Sequence, residues 1–272
     1  MDINSLFEQL HSLPSIPKVA QDLIQQFDNP NTNLDAVARN INLDPVIAAK
    51  VLRLANSSFY GARRKVAGIG DAVTLIGLNA FRNLVIASAM VSAFPPVPGF
   101  DLPAFWRTSM LVANLSQIIG RTVQADRDVT FTAGLMHEIG HLLVCFDSAS
   151  AGAAMTTARN AVRLAGQRAA EQALLGLDHF EVGAELARRW NFPESIQRAI
   201  ASHDAADADS REARVVHAAV LIAGGIQSRT TFDDMQLQLP AALAEELKLD
   251  KAWFEEHGEV FDLLLDEADA LV

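Results

Sequence analysis

The sequence predicts an all-α protein of two helical lobes, and three observations carry that prediction. Apolar residues recur at three- and four-residue spacing along almost the whole chain. No run alternates apolar and polar residues long enough to insist on a strand. The cluster Pro95-Pro96-Val97-Pro98-Gly99 interrupts the pattern, stopping a helix and stiffening the connection. With 272 residues, 50% of them hydrophobic, the chain can bury a large core, and 15 Gly with 10 Pro exclude a low-complexity chain.

Each element follows from local signals. Val19, Leu23, Ile24 and Phe27 form one apolar face, closed by the turn at Asp28-Asn29-Pro30-Asn31, and Asn33 caps a short helix through Ala38. Asp44-Pro45 places an N-cap before a proline at the first helical position, opening a helix through Val51, Leu52 and Leu54. Asp71 starts a helix that ends at Gly77, and 78–93 follows as another. Beyond the proline cluster, periodicity predicts helices over 102–120, 128–146, 151–175, 179–190, 193–203 and 211–227. Two or three short helices from Pro240 onward complete the chain, and no repeat of fixed period is evident.

Charge is uneven. The net charge is -11, and 231–272 holds twelve Asp and Glu against two Lys, read as a solvated acidic helix face. The segment 46–70 carries Lys50, Arg53, Arg63, Arg64 and Lys65 with no acid. An acidic chain is a poor nucleic-acid binder. The basic segment is the place to dock an acidic partner or a phosphorylated ligand, with Arg53, Arg63, Arg64 and Lys65 as contacts. The Asn56-Ser57-Ser58 stretch beside it supplies side chains that close a helix by bonding to backbone. The start of the chain lacks a basic region followed by a long apolar run, no uninterrupted apolar stretch has the length of a membrane span, and one cysteine cannot form an internal disulfide. A cytoplasmic protein is the expectation. Cys145, in an apolar run, reads as a buried hydrophobe. Phe94, Phe100, Phe105 and Trp106 read as packing between lobes.

His137-Glu138-Ile139-Gly140-His141 spells the H-E-x-x-H pattern, which on one helix face can grip zinc with the glutamate as general base. Val144 and Asp147 stand where an extended zinc-protease motif needs Gly and His, and no segment reads as a substrate-edge strand.

A second set of residues points elsewhere. Leu13-Pro14-Ser15-Ile16-Pro17, Asp44-Pro45, the run Leu52 to Gly61, Asp71-Ala72, Ile76-Gly77-Leu78 and Arg82-Asn83-Leu84 together resemble the opening lobe of the HDOD family. Phe105-Trp106, 134–143, His179-Phe180-Glu181-Val182-Gly183, Trp190 and Pro193 continue the resemblance over most of the chain. It implies a second lobe of HD type, related in fold to the HD and HD-GYP phosphohydrolases, where His and Asp side chains hold two metal ions that activate water. The implied boundaries are 1–98 for the N-terminal lobe, 99–230 for the HD-like lobe and 231–272 for acidic helices packed on both.

Carried over by position, the resemblance puts Thr108 where the first ligand histidine belongs, His137-Glu138 at the His-Asp pair, and His179 and His203, with Asp204, at further ligand positions. Val220 falls at the last aspartate. A hydroxyl is a poor neutral donor and a valine is none, so a two-metal hydrolase is not expected. His137, Glu138, His179 and His203 remain as a vestigial set that holds at most one weakly bound divalent metal; no cofactor is expected. The implied function is a non-enzymatic bacterial signalling module acting through contacts with other signalling proteins. The alternative is a phosphohydrolase of altered metal geometry acting on a nucleotide or cyclic dinucleotide.

Overall fold

The computed structural model describes residues 2–9, 14–25, 44–60, 65–160, 162, 164–205 and 208–271, and among them there is no strand. The turn at 28–31, the cap at Asn33, and Phe27, Arg63 and Arg64 lie outside the described residues.

The N-terminal part follows its caps. Asp44 accepts from the backbone N–H of Val46 and Ile47, both at 3.1 Å, and opens the helix Pro45–Ala55, which buries Ile47, Val51, Leu54 and Ala55. A 3-10 turn, Ser58–Tyr60, follows. Helices Ile69–Ile76 and Leu78–Ala93 share Gly77, whose φ of +81° lets the chain turn between them where a side chain would be strained. The first helix, Ile3–Gln9, lies against Ile139–Asp147 and buries Leu6 and Phe7, with the Arg189 guanidinium 4.3 Å from the Phe7 ring centre. The Trp190 indole N–H donates to the Pro14 carbonyl at 3.1 Å.

Helix Leu102–Thr122 is the spine of the molecule, capped by Asp101 on the N–H of Ala104. It packs along Arg127–Met136, Arg211–Gln227 and the C-terminal helix Lys251–Leu271. Two neighbouring pairs, Ile139–Asp147 with His179–Arg189 and His179–Arg189 with Glu194–Ser202, close the far side. Phe94 joins Trp106, Phe146 and Trp190 at ring separations of 6.1, 6.4 and 6.3 Å, so these aromatics pack the interior next to the proline cluster. Cys145 is buried.

Three expectations are corrected. The helix read over 128–146 is two, Arg127–Met136 and Ile139–Asp147, because the chain turns at His137 and Glu138. The helix read over 151–175 is also two, Ala149–Asn160 and Leu164–Leu175. The tail from Pro240 is not a series of short helices: after Ala241–Glu246 it forms one helix of 21 residues, Lys251–Leu271, that buries Trp253, Phe254, Phe261, Leu264 and Leu271. The stretch Arg127–Asp147 is by length and composition apolar enough to cross a membrane, but 89% of its most apolar window is buried inside the protein, as core helices are.

Candidate functional site

The break at 137–138 decides what the H-E-x-x-H residues can do. Two histidines four apart share a face only on an unbroken helix. Here the turn sends them to different neighbours. The His137 Nδ1 donates to the Gly134 carbonyl at 2.7 Å, and its ring meets His203 edge to face at 5.7 Å. The His141 Nε2 bonds to the Thr156 hydroxyl at 2.9 Å, and its ring stands against Phe100 at 5.6 Å. The zinc-protease geometry is absent.

His137, His179 and His203 come together from three separate elements, and all are buried. His179 opens its helix behind the N-cap Asp178 and lies 6.1 Å from His203, ring centre to ring centre. Buried Glu171 grips it twice, accepting from the His179 backbone N–H at 2.8 Å and from Nδ1 at 2.7 Å. The His203 Nδ1 donates to the Ile200 carbonyl at 2.8 Å, and the His203 carbonyl accepts from His217 Nδ1 at 2.9 Å. A carbonyl or carboxylate only accepts, so each of these rings carries a proton on Nδ1, and a neutral ring so placed keeps its lone pair on Nε2. That is the tautomer of a metal-binding histidine, and equally of one tied into a core.

The electrostatics favour neutral rings at His203 and His217. Burial pushes His203 down to about 4, against the pull of the Ile200 carbonyl and Asp204, and burial lowers His217 too. The neighbouring carboxylate is engaged elsewhere: Asp204 accepts from Arg168 Nε and Nη2, both at 2.8 Å. Burial works against its charge, but the Arg168 guanidinium outweighs that and holds the carboxyl below its ordinary value. Arg168 also reaches Asp178 at 3.2 Å, and Gln172 donates to the same Asp178.

The residues at the remaining ligand positions do not complete a metal centre. Thr108 accepts from the Gln227 amide at 2.8 Å, and Val220 offers hydrocarbon. Glu138 lies 3.7 Å from His141 Nδ1. Among the described residues, no group of three or more His, Cys, Asp or Glu side chains is arranged to hold a metal ion. The donor set does not fit the two-ion centre of the HD phosphohydrolases.

The basic segment is partly described. Arg53 and Lys65 are exposed, while Lys50 is half-buried and lowered by that burial and by Arg53. Asn56 fastens the loop from both sides: its amide donates to the Leu52 and Val66 carbonyls at 2.7 and 2.8 Å, and its oxygen accepts from the Val66 N–H at 2.8 Å. Ser58 donates to Asp266 of the C-terminal helix at 3.0 Å.

Two residues that sequence reasoning did not single out hold this site, Glu171 and Arg168. Neither sits in a motif. The only sequence signal is that both point from one helix, Leu164–Leu175, toward residues its neighbours supply.

Comparison with known proteins agrees with the architecture. A model of the HDOD domain matches residues 13–206. A solved structure from Shewanella amazonensis SB2B, named as a candidate phosphohydrolase, is 30% identical, covers 98% of each chain and superposes with a TM-score of 0.82. An HDOD domain protein of unknown function from Geobacter sulfurreducens is 22% identical over 99% of this chain and 97% of its own, with a TM-score of 0.81, a likeness of fold. An uncharacterised protein of Treponema pallidum (strain Nichols) is 25% identical over 205 residues, 73% of this chain. The chain spans about two fifths of the length of that curated relative, 39%.

Proposed function

The chain belongs to the HDOD domain family, and from that premise we propose that it is a non-enzymatic bacterial signalling module that works in the cytoplasm by contacting other proteins. One observation carries the reading. The carboxylate beside the histidine cluster, Asp204, has both oxygens bonded to Arg168, so it is engaged by a guanidinium and not held open for a metal ion. The cluster is built into the core: His203 is fully buried and its proton is committed to a carbonyl. Together with a hydroxyl at 108 and a hydrocarbon at 220, this supports a site that, among the described residues, lacks the donor set of a two-ion centre.

Contact with partners is assigned to the exposed basic face of Arg53 and Lys65, which suits an acidic protein surface. The resemblance to a candidate phosphohydrolase at 30% identity favours one second reading, a hydrolase of altered metal site using His137, Glu138, His179 and His203. Elemental analysis of tag-free protein before and after chelator, beside Glu138→Ala, separates the two. The signalling reading expects less than one equivalent of metal and no change in the variant. About two equivalents, lost in the variant and accompanied by phosphodiester hydrolysis, would replace it with the second.

A further inference from the structure

The C-terminal helix carries a carboxyl in an environment unlike that of its neighbours. Asp266 and Asp269 are exposed and meet ordinary surface partners, Ser58 at 3.0 Å and Arg107 at 3.6 Å. Glu267 between them is fully buried, on the side of the helix that faces the spine and the 3-10 turn. Its Oε2 accepts from the Asn114 amide at 2.9 Å, and the Tyr60 phenol is turned to the same carboxyl as a second neutral donor.

No cation among the described residues compensates it. On the packed elements, Arg82 of 78–93 pairs with Asp128, Arg107 of the spine pairs with Asp269, and Asp233 of Phe232–Gln238 pairs with Lys251. Lys50 and Arg53 on Pro45–Ala55 form no ion pair with it. A buried carboxylate that faces only the neutral Asn114 amide and Tyr60 phenol, with no cation, is a costly arrangement, whereas the carboxylic acid carries no charge there.

We propose that Glu267, with Asn114 and Tyr60, is a proton-dependent clasp: as the neutral acid it closes the C-terminal helix over the Ser58–Tyr60 turn, and loss of its proton opens that contact. Burial agrees, pushing the Glu267 carboxyl up to about 8 against the Tyr60 and Asn114 hydrogen bonds, which favour its charge, and burial with the Glu267 charge raises the Tyr60 phenol. The sign follows: the closed form holds its proton through neutral pH, and the contact weakens as pH rises through the folded value. The clasp joins the last turns of the chain to a turn flanked in sequence by Arg53 and Lys65. Its effect on partner contact rests on the signalling reading, while the clasp itself does not.

Two measurements on the full chain test it. Infrared difference spectra, wild type minus Glu267→Gln, should show the C=O band of a protonated carboxyl at pH 7 and its loss by pH 9. A band already missing at pH 7 would overturn the proposal. Should the variant fail to fold, the pH 7 minus pH 9 difference of the wild type gives the same reading alone. Amide hydrogen exchange of residues 58–60 and 264–271, taken as the ratio of wild type to Glu267→Gln at each pH, should rise toward about tenfold per unit between the ordinary value of 4.5 and the folded value near 8, and level off above it. A ratio flat from pH 6 to 9 would equally sink it.

Discussion

Glu171 shows what a single buried charge does in this fold. Its carboxylate satisfies two donors of His179, the backbone N–H and Nδ1, at a point with no solvent to replace it. Glu171→Ala leaves both donors wanting in the interior, and the expected loss of stability is about 3 kcal/mol. Urea unfolding checks this, with the midpoint falling at unchanged slope. Glu171→Gln keeps an acceptor for one donor but turns an amide toward the other, so its loss should be the smaller of the two. Equal stability of wild type and Glu171→Ala would show that His179 finds another partner at no cost.

At the scale of elements, the parts legible in the sequence are those whose cause is local. Asp44-Pro45 caps the helix it was read to cap, and the 211–227 and 78–93 helices keep their read bounds. What escaped reading has a distant cause. The periodicity of 128–146 is the same for one helix or two, and the break at His137-Glu138 becomes visible only when His179–Arg189 is laid alongside. There, a Cβ on Gly140 would fall 2.0 Å from the His179 carbonyl oxygen, so the two helices meet through bare backbone. Gly140→Ala must push them apart, and it should cost about 2–3 kcal/mol, read by thermal or urea unfolding. Melting within about a degree of wild type would mean the helices can part freely. The acidic tail taught the same lesson. Counting its charges read it as a solvated face, but the face that matters is the apolar one, and Glu267 is the acid that this face buries. The candidate site was legible as residue types, not as chemistry. His137, His179 and His203 do come together, while Arg168, which no spacing relates to Asp204, takes up the carboxylate beside them.

For the molecule as a whole, two buried groups titrate with opposite signs, and together they fix where stability peaks. Burial pushes His203 from an ordinary 6.5 to about 4, so the unfolded chain binds a proton first as acid is added. The stability this contributes is present above 6.5 and lost as pH falls toward 4, and the lowered His217 acts in the same direction. Burial pushes Glu267 from 4.5 to about 8, so its contribution is present below 4.5 and lost as pH rises through 8. Between 4.5 and 6.5 the two histidines oppose one carboxyl and prevail; above 6.5 they no longer offset it. The melting temperature of chelator-treated protein should therefore peak near pH 6.5 and fall toward pH 8. The shifts are worth on the order of 3 kcal/mol at His203 and about 5 kcal/mol at Glu267, large against the stability of a single domain, so the fall amounts to several degrees. Glu267→Gln removes the alkaline limb and should hold its melting temperature level from pH 6.5 to 8, while His203→Gln should flatten the acid limb and leave the alkaline one. A wild-type curve that is flat or rising between pH 6.5 and 8 would mean that Glu267 is ionised in the folded protein, and the balance drawn between the two groups would fail with it.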